Sequence, residues 1–454
     1  MKPAGVDEIL IDRLPGETRA ALLGDGRLVS LIVVRAGQAT RVGAVIRGRV
    51  TAVRRDQGAA YVDIGADKAG FLSLRRGAKP PAQGAALVVQ VTKDAAGDKG
   101  AGLTDRPLIQ GRFLTLRPGQ PGLERSRRLP PDAFAGVTRA LQDADASVDG
   151  FLANPAAAGA AESALLAEAK ALTAAWAAAA GQPGVPNTLV PAPDPVLRAV
   201  LDHAAALKSV VADDAATLGA LRAGLGGLAP EAAALLKHHP GPGPLFQRHG
   251  LEAQIDEALA RRVRLPGGAV LMIDELEALT VIDVDLAGQE TGGDWERTAL
   301  AANLEAAEEI ARQLRLRDVG GIAVVDFLRL GSAEHRRRVV EALRRASSGD
   351  PQQVDVLGMT PAGLVELTRR RGRPSLKQLA GDALAQGFAL LRRAMAEAAA
   401  RPGRGLKARA APAIVKALEK EAASLAYARA RIAAGLELVA DPAQPLPRFD
   451  IGPG

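Results

Sequence analysis

Apolar and polar residues alternate in VIDVD, residues 281–285. A strand period of two puts Val281, Asp283 and Asp285 on one face and Ile282 and Val284 on the other. That run closes GGAVLMIDELEALTVIDVDLAG, 267–288, which reads as an acidic hairpin. A second strand, within VGGIAVVDFLRL (319–330), carries Asp326 in an otherwise apolar run. Between them the period changes. Leu300, Leu304, Ala307, Ala311 and Leu314 recur at helical spacing and predict an amphipathic helix over 298–317, stopped by Gly320-Gly321. Its first half holds Glu305, Glu308 and Glu309 and its last turns Arg312, Arg315 and Arg317, a polarity that suits the helix dipole. A further helix is predicted at 333–345, bearing Arg336, Arg337 and Arg338. A strand is predicted near 363–367, followed by Arg369, Arg370, Arg371 and Arg373.

Upstream, 8–14 and 27–35 read as short strands around the turn Gly24-Asp25-Gly26, with a break at Ala36-Gly37-Gln38. From 41 to about 104 the runs VGAVIRGRVTAVRR, AAYVDIG, AGFLSL and ALVVQVTK, punctuated by glycines, predict a small closed β-barrel. A strand at 113–116 and an Ala-rich helix at 160–180 follow, closed by a Pro/Gly-rich stretch at 181–195. Residues 196–258 read as mostly helical, interrupted by the loop His238–Pro244, and a helix is predicted over 251–264. The remainder to Ala440 reads as helices broken at 401–405, with a strand-like LELVAD before the terminus.

At 454 residues the chain needs several cores. It has no cysteine, which excludes disulfides, thiolate metal sites and cysteine nucleophiles. The N-terminal MKPAGVDEIL has neither a basic n-region nor an apolar h-region, and no long apolar span occurs, so a cytoplasmic protein without membrane contact is expected. A net charge of +7 favours a polyanionic partner.

Carboxylates in apolar strands need compensation, which a divalent cation or arginine pairing at strand ends can supply. Spacing alone leaves both open for Asp283 and Asp326. Tyr61 and Phe71 either fill the barrel core or form a stacking surface for single-stranded nucleic acid with the nearby basic residues. The adjacent His238 and His239 lack metal-ligand spacing and read as a surface turn.

EALTVIDVD (277–285) and NLEAAEEIARQLRLRDVGGIAVVDF (303–327) resemble the catalytic domain of the bacterial ribonuclease E/G family. DEILID, AAYVDIGADKAGFLSL, GDKGAGLT, VRLPGG and GLVELTRRR fall in the family's order. The resemblance spans essentially the whole chain and implies an α/β (α+β) multidomain fold. Its parts would be an RNase H-like subdomain in two pieces (1–38 and 196–258), an inserted OB-fold RNA-binding barrel (39–112), a 5′-sensor region (113–195), a DNase-I-like catalytic subdomain (259–378) and a small C-terminal domain (379–454). It also implies a Mg²⁺-dependent endoribonuclease acting on single-stranded RNA in rRNA and mRNA processing and decay. Asp283 and Asp326 match the metal-binding aspartates; Tyr61, Phe71 and Lys99 match barrel positions that contact RNA. Arg369 and Arg371, in the basic run after GLVEL, are expected to help clamp the strand near the acidic pair.

Four departures accompany the resemblance. Asp285 stands where the family has a catalytic Asn. Asn154 and Pro155 occupy the sensor positions where Arg-Thr is usual, so 5′-monophosphate capture is not expected. The cysteines of the zinc link are missing near 379–386, so no zinc is expected and any homodimer through the C-terminal domain would be of another kind. Arg329 replaces a second acidic residue after the DF motif. The rival reading is a catalytically weakened RNA-binding paralogue. A DNA partner is not expected, because no duplex-reading motif is present.

Overall fold

The computed structural model describes residues 5–37, 40–75, 77, 79–95, 97–143, 149–239, 243–286, 288 and 294–454. Met1–Ala4, Gln38, the central part of the His238–Pro244 loop and Ala287 lie outside the described residues. The chain forms two compact units, one of residues 1–37, 206–222 and 234–454, the other of 38–205 and 223–233.

The second unit contains the barrel. Strands Val45–Arg54, Ala59–Asp63, Gly70–Ser73, Gly102–Thr104 and Ala86–Lys93 pair in that order, and the last returns to the first, closing a five-stranded OB-like ring. Ile46, Val50, Ala60, Val62, Leu72, Val89, Val91 and Leu103 fill it. The tight ring requires Gly48: a Cβ there would stand 2.5 Å from a Val62 methyl and 2.6 Å from the Asp63 carbonyl oxygen. Beside it in sequence, Leu114–Leu116 and Phe151–Ala153 belong to a four-stranded sheet packed on helices Pro131–Asp143 and Glu162–Gly181.

In the first unit, Glu8–Leu14, Glu17–Gly24 and Arg27–Arg35 form an antiparallel meander. Ser209–Ala212 and Leu236–His238 extend it in parallel. These two strands lie in the segment read as mostly helical, which is corrected to a mixed segment. Of 196–258, residues 196–205 and 223–233 group with the barrel unit. The meander carries a buried ionic network: Asp12 and Glu17 bind Arg392, Asp12 and Glu252 bind Arg19, and Glu17 binds Arg35. Arg392 comes from helix Ala383–Ala400, so the C-terminal part is tied to this sheet. That part builds its own three-stranded sheet from Leu406–Ala410, Leu436–Ala440 and Phe449–Pro453. Leu406–Ala410 is a strand where a helical stretch was expected.

The third sheet of this unit has six strands in the order Arg262–Arg264, Val270–Glu275, Leu279–Asp285, Gly321–Asp326, Leu364–Arg369 and Val354–Met359. The helix expected over 251–264 ends at Leu259, and the chain turns into the edge strand at Arg262. Helix Trp295–Leu316 crosses over between the two parallel strands and packs Ala299, Ala306, Ala307, Ile310 and Leu314 on one sheet face. Those alanines are the short side chains that let a helix lie close to Ile282, Val284, Ala323 and Val325. The opposite face of the sheet carries the acidic residues.

Candidate active site

Leu279–Asp285 and Gly321–Asp326 run parallel, in a register that sets Asp283 opposite Asp326. Adjacent strands lie about 4.8 Å apart, so both carboxylates leave the open face side by side where the strands end. Asp326 is exposed and Asp283 half-buried. Burial, then the charge of Asp326, then that of Asp285, raises the Asp283 pKa above the usual carboxylate range. Three carboxylates crowded by their own repulsion are what a bound cation would relieve. Asp285 lies two residues along on the same face and is exposed. Among the described residues no set of three His, Cys, Asp or Glu is gathered tightly enough for an all-protein metal cage. Two strand-end carboxylates open to solvent fit Mg²⁺, which keeps several waters and takes one or two carboxylates.

The loop after Asp326 is held by residues that sequence reasoning did not single out. Asn303, fully buried, donates through Nδ2 to the Leu328 carbonyl (2.8 Å) and accepts at Oδ1 from the Leu328 amide (3.0 Å). Trp295 Nε1 donates to the Arg329 carbonyl at 3.2 Å. Glu296 accepts from the amides of Gly331 and Ser332 and lies 2.8 Å from His335 Nδ1. The Gly331 amide leads the causes that hold the Glu296 pKa down to about 2. The one available signal was a polar Asn on the buried stripe of an amphipathic helix.

Arg369 and Arg371 are not beside the acidic pair, which corrects their expected role as a clamp there. The Leu364–Arg369 strand runs antiparallel to Gly321–Asp326, so Arg369 pairs with Gly321 at the far end, about 16 Å along the strand from Asp326. Arg369 is also buried, donating to Asp350 and Asp318, with its Nη1 on the Val319 carbonyl. Arg371 is exposed and lies over Gly320-Gly321, its Nε on the Gly320 carbonyl at 3.1 Å.

On the barrel, Tyr61 and Phe71 are cross-strand partners that point outward, so the core reading does not hold. Their rings meet edge to face at 6.0 Å and 78°, and Phe71 is 41% exposed. Lys99 is exposed, three residues before the Gly102 that pairs with Phe71. At the positions where the resemblance places a sensor, Asn154 is used internally: Nδ2 donates to the Arg112 carbonyl and Oδ1 accepts from the Thr115 hydroxyl. Pro155 offers no amide.

An outward aromatic pair on a small barrel in one unit and paired strand-end carboxylates in the other fit a nucleic-acid-processing class of protein. The Ribonuclease E/G family model matches residues 108–372. Ribonuclease G of Salmonella typhimurium (strain SL1344) is 32% identical over 399 residues, 82% of this chain and 81% of that protein. Ribonuclease G of Escherichia coli (strain K12) gives the same figures. Ribonuclease E of Escherichia coli (strain K12) is 33% identical over 386 residues, 79% of this chain and 36% of that protein. The chain belongs to the ribonuclease E/G family.

Proposed function

We propose that this chain is a Mg²⁺-dependent endoribonuclease that cuts single-stranded RNA in RNA processing and decay, without sensing a 5′-monophosphate. Family membership supports the endoribonuclease role. The observation that carries the metal assignment is the register of Asp283 with Asp326 at the ends of two parallel strands. In this reading Asp283 and Asp326 hold the ion, and Asp285 adjusts the charge beside it. The bound ion supplies Lewis-acid stabilisation of charge on the scissile phosphate and a more acidic water. Asn303, Trp295 and Glu296 keep the Asp326 loop in place. Tyr61 and Phe71 stack bases, with Lys99 nearby on the phosphates. The internal use of Asn154 and the missing amide at Pro155 support the absence of monophosphate capture.

The test is cleavage of a single-stranded fluorogenic RNA with Mg²⁺ and then with EDTA. Asp283→Asn and Asp326→Asn should each abolish Mg²⁺-dependent cleavage while RNA binding, read by anisotropy in EDTA, persists. Retained cleavage in either variant refutes the metal assignment. Equal rates on 5′-monophosphate and 5′-hydroxyl RNA are expected, and a large monophosphate stimulation refutes the sensor part. A homodimer through the C-terminal domain belongs to the same reading, and sedimentation equilibrium decides it.

A further inference from the structure

The arginines expected near the acidic pair lie at the other end of the sheet, which leaves open what cations meet the strand on the Asp283 side. The register of the edge strand answers this. Arg262 pairs with Met272, Met272 with Asp283, and Asp283 with Asp326, so these four residues form one row across the sheet. Arg264 pairs with Val270, and Val270 with Asp285, in the neighbouring row. Val263 between the two arginines is buried in the core with Leu271 and Ile273. Period-two alternation therefore sends Arg262 and Arg264 to the open face that carries the aspartates. Two strand spacings put their Cα atoms about 10 Å from those of Asp283 and Asp285.

Among the described residues, neither Arg262 nor Arg264 is paired. The preceding residue, Arg261, is neutralised by a two-pronged pair with Asp274 at 2.6 and 2.7 Å. Arg262 and Arg264 are both exposed, and among the described residues neither guanidinium has a hydrogen bond or an ion pair. The strand that holds them is fixed from below. Leu265 bonds the Ala269 carbonyl, and the Glu305 carboxylate accepts from the Gly267 amide at 2.9 and 3.1 Å. Two free guanidinium forks on a rigid edge, beside three carboxylates that would repel a polyanion, match the chemistry of phosphodiester recognition.

We propose that Arg262 and Arg264 form a phosphate-binding subsite that holds the RNA backbone to one side of the scissile phosphate, along the rows that end at Asp283 and Asp285. This rests on the reading of that acidic site as the place of RNA cleavage. The subsite offsets the repulsion of the aspartates and sets the path of the strand, so it governs binding of substrate more than the chemical step.

The test compares wild type with Arg262→Gln, Arg264→Gln and the double variant, using a fluorescein-labelled single-stranded A/U-rich RNA. Anisotropy in EDTA, across a salt series, reads binding without any cleavage. Each phosphate contact adds about 0.7 to the slope of log affinity against log salt for single strands. The double variant should therefore flatten the slope by about 1.4 and weaken binding roughly tenfold at low salt. With Mg²⁺ the loss should fall mainly on KM. Arg261→Gln, which removes one charge as each single variant does, serves as the control and should change binding by less than about twofold, since Asp274 already occupies Arg261. An unchanged Kd and slope in the double variant, or an equal loss in Arg261→Gln, overturns the subsite. Absence of cleavage by wild type sinks the nuclease reading, while the EDTA binding series still decides the arginines.

Discussion

Asp213 should make the protein less stable as pH rises through neutrality, and Asp213→Asn should remove that loss. Asp213 follows strand Ser209–Ala212 and accepts from the Arg13 amide at 3.0 Å. Burial, and then the charge of Asp12, pushes its pKa up to about 7. Asp12 stays ionised because Arg19 and Arg392 hold it. The unfolded carboxyl loses its proton near 3.8 and the folded one near 7, so between those values the folded state binds the extra proton. Stability therefore falls as pH climbs through that window, and the full penalty is present above it. A shift of about 3 units corresponds to about 4 kcal/mol. The site is not fully sealed from water, so about 2 kcal/mol is the expected effect. Asparagine keeps the acceptor for Arg13 and cannot ionise. Urea unfolding followed by tryptophan fluorescence at pH 5 and pH 8.5 measures the difference. The variant should exceed wild type by about 0.8 kcal/mol at pH 5, a little over a third of the way through the window, and by about 2 kcal/mol at pH 8.5. A gap that is independent of pH, or one that shrinks at high pH, refutes the reasoning.

Asn303→Ala removes both hydrogen bonds to Leu328 and should destabilise the protein by about 2 kcal/mol. It should also raise the Mg²⁺ concentration for half-maximal cleavage, and an unchanged Mg²⁺ requirement counts against the loop-holding role. Asp285→Asn takes away one of the charges that raise the Asp283 pKa, so the acid limb of the pH–rate profile should move to lower pH; an unmoved limb refutes this. Arg369→Met leaves Asp350 buried without its arginine and Asp318 with Arg373 alone, and should cost about 3–5 kcal/mol, while Arg371→Ala stays within about 0.5 kcal/mol. Similar denaturation midpoints for the two variants would contradict the burial argument.

The strongest periodic signals survived folding. The helix expected at 298–317 spans Trp295–Leu316, and the barrel runs became barrel strands, because alternating Val, Ile and Leu have only one way to bury. Elements were missed where alanine dominates. ETRAALLG is a strand buried on both faces, so it shows no alternation, and Leu406–Ala410 reads LKARA within an Ala-rich, helix-favouring context. Ser209–Ala212 and Leu236–His238 are short parallel strands whose partners are distant in sequence. The basic run at 369–373 misled for a different reason. It is near Asp326 in sequence, but an antiparallel return carries a chain away from its neighbour at the rate of a full strand. Linear proximity carried no information there, whereas pairing register did.

The same crossover explains why the acidic pair and the buried arginine ion pairs occupy opposite ends of one sheet. A helix joining two parallel strands must run back against them, so Trp295–Leu316 starts at the edge where the strands end. Its first turns are then the only part of it within reach of the loop after Asp326, which is where Trp295, Glu296 and Asn303 are used. Its last turn, with the chain that follows, meets the edge where Gly321 begins. There Asp318 accepts from Arg369 and Arg373, and Arg317 donates to Gln313 and the Ala260 carbonyl. Among the described residues, Asp283 and Asp326 have no arginine partner, and they sit at the carboxyl ends of the parallel strands, the position where open α/β sheets commonly receive ligands. Arginines are consumed at the amino ends. An ion-pair origin for Asp283 and Asp326 would require arginines at the carboxyl edge, yet those on the same open face, Arg262 and Arg264, stand two strands away with their guanidinium groups unpaired among the described residues. That separation of charge across one sheet is what a site for a cation and a polyanion needs, and what an internal salt bridge would have removed.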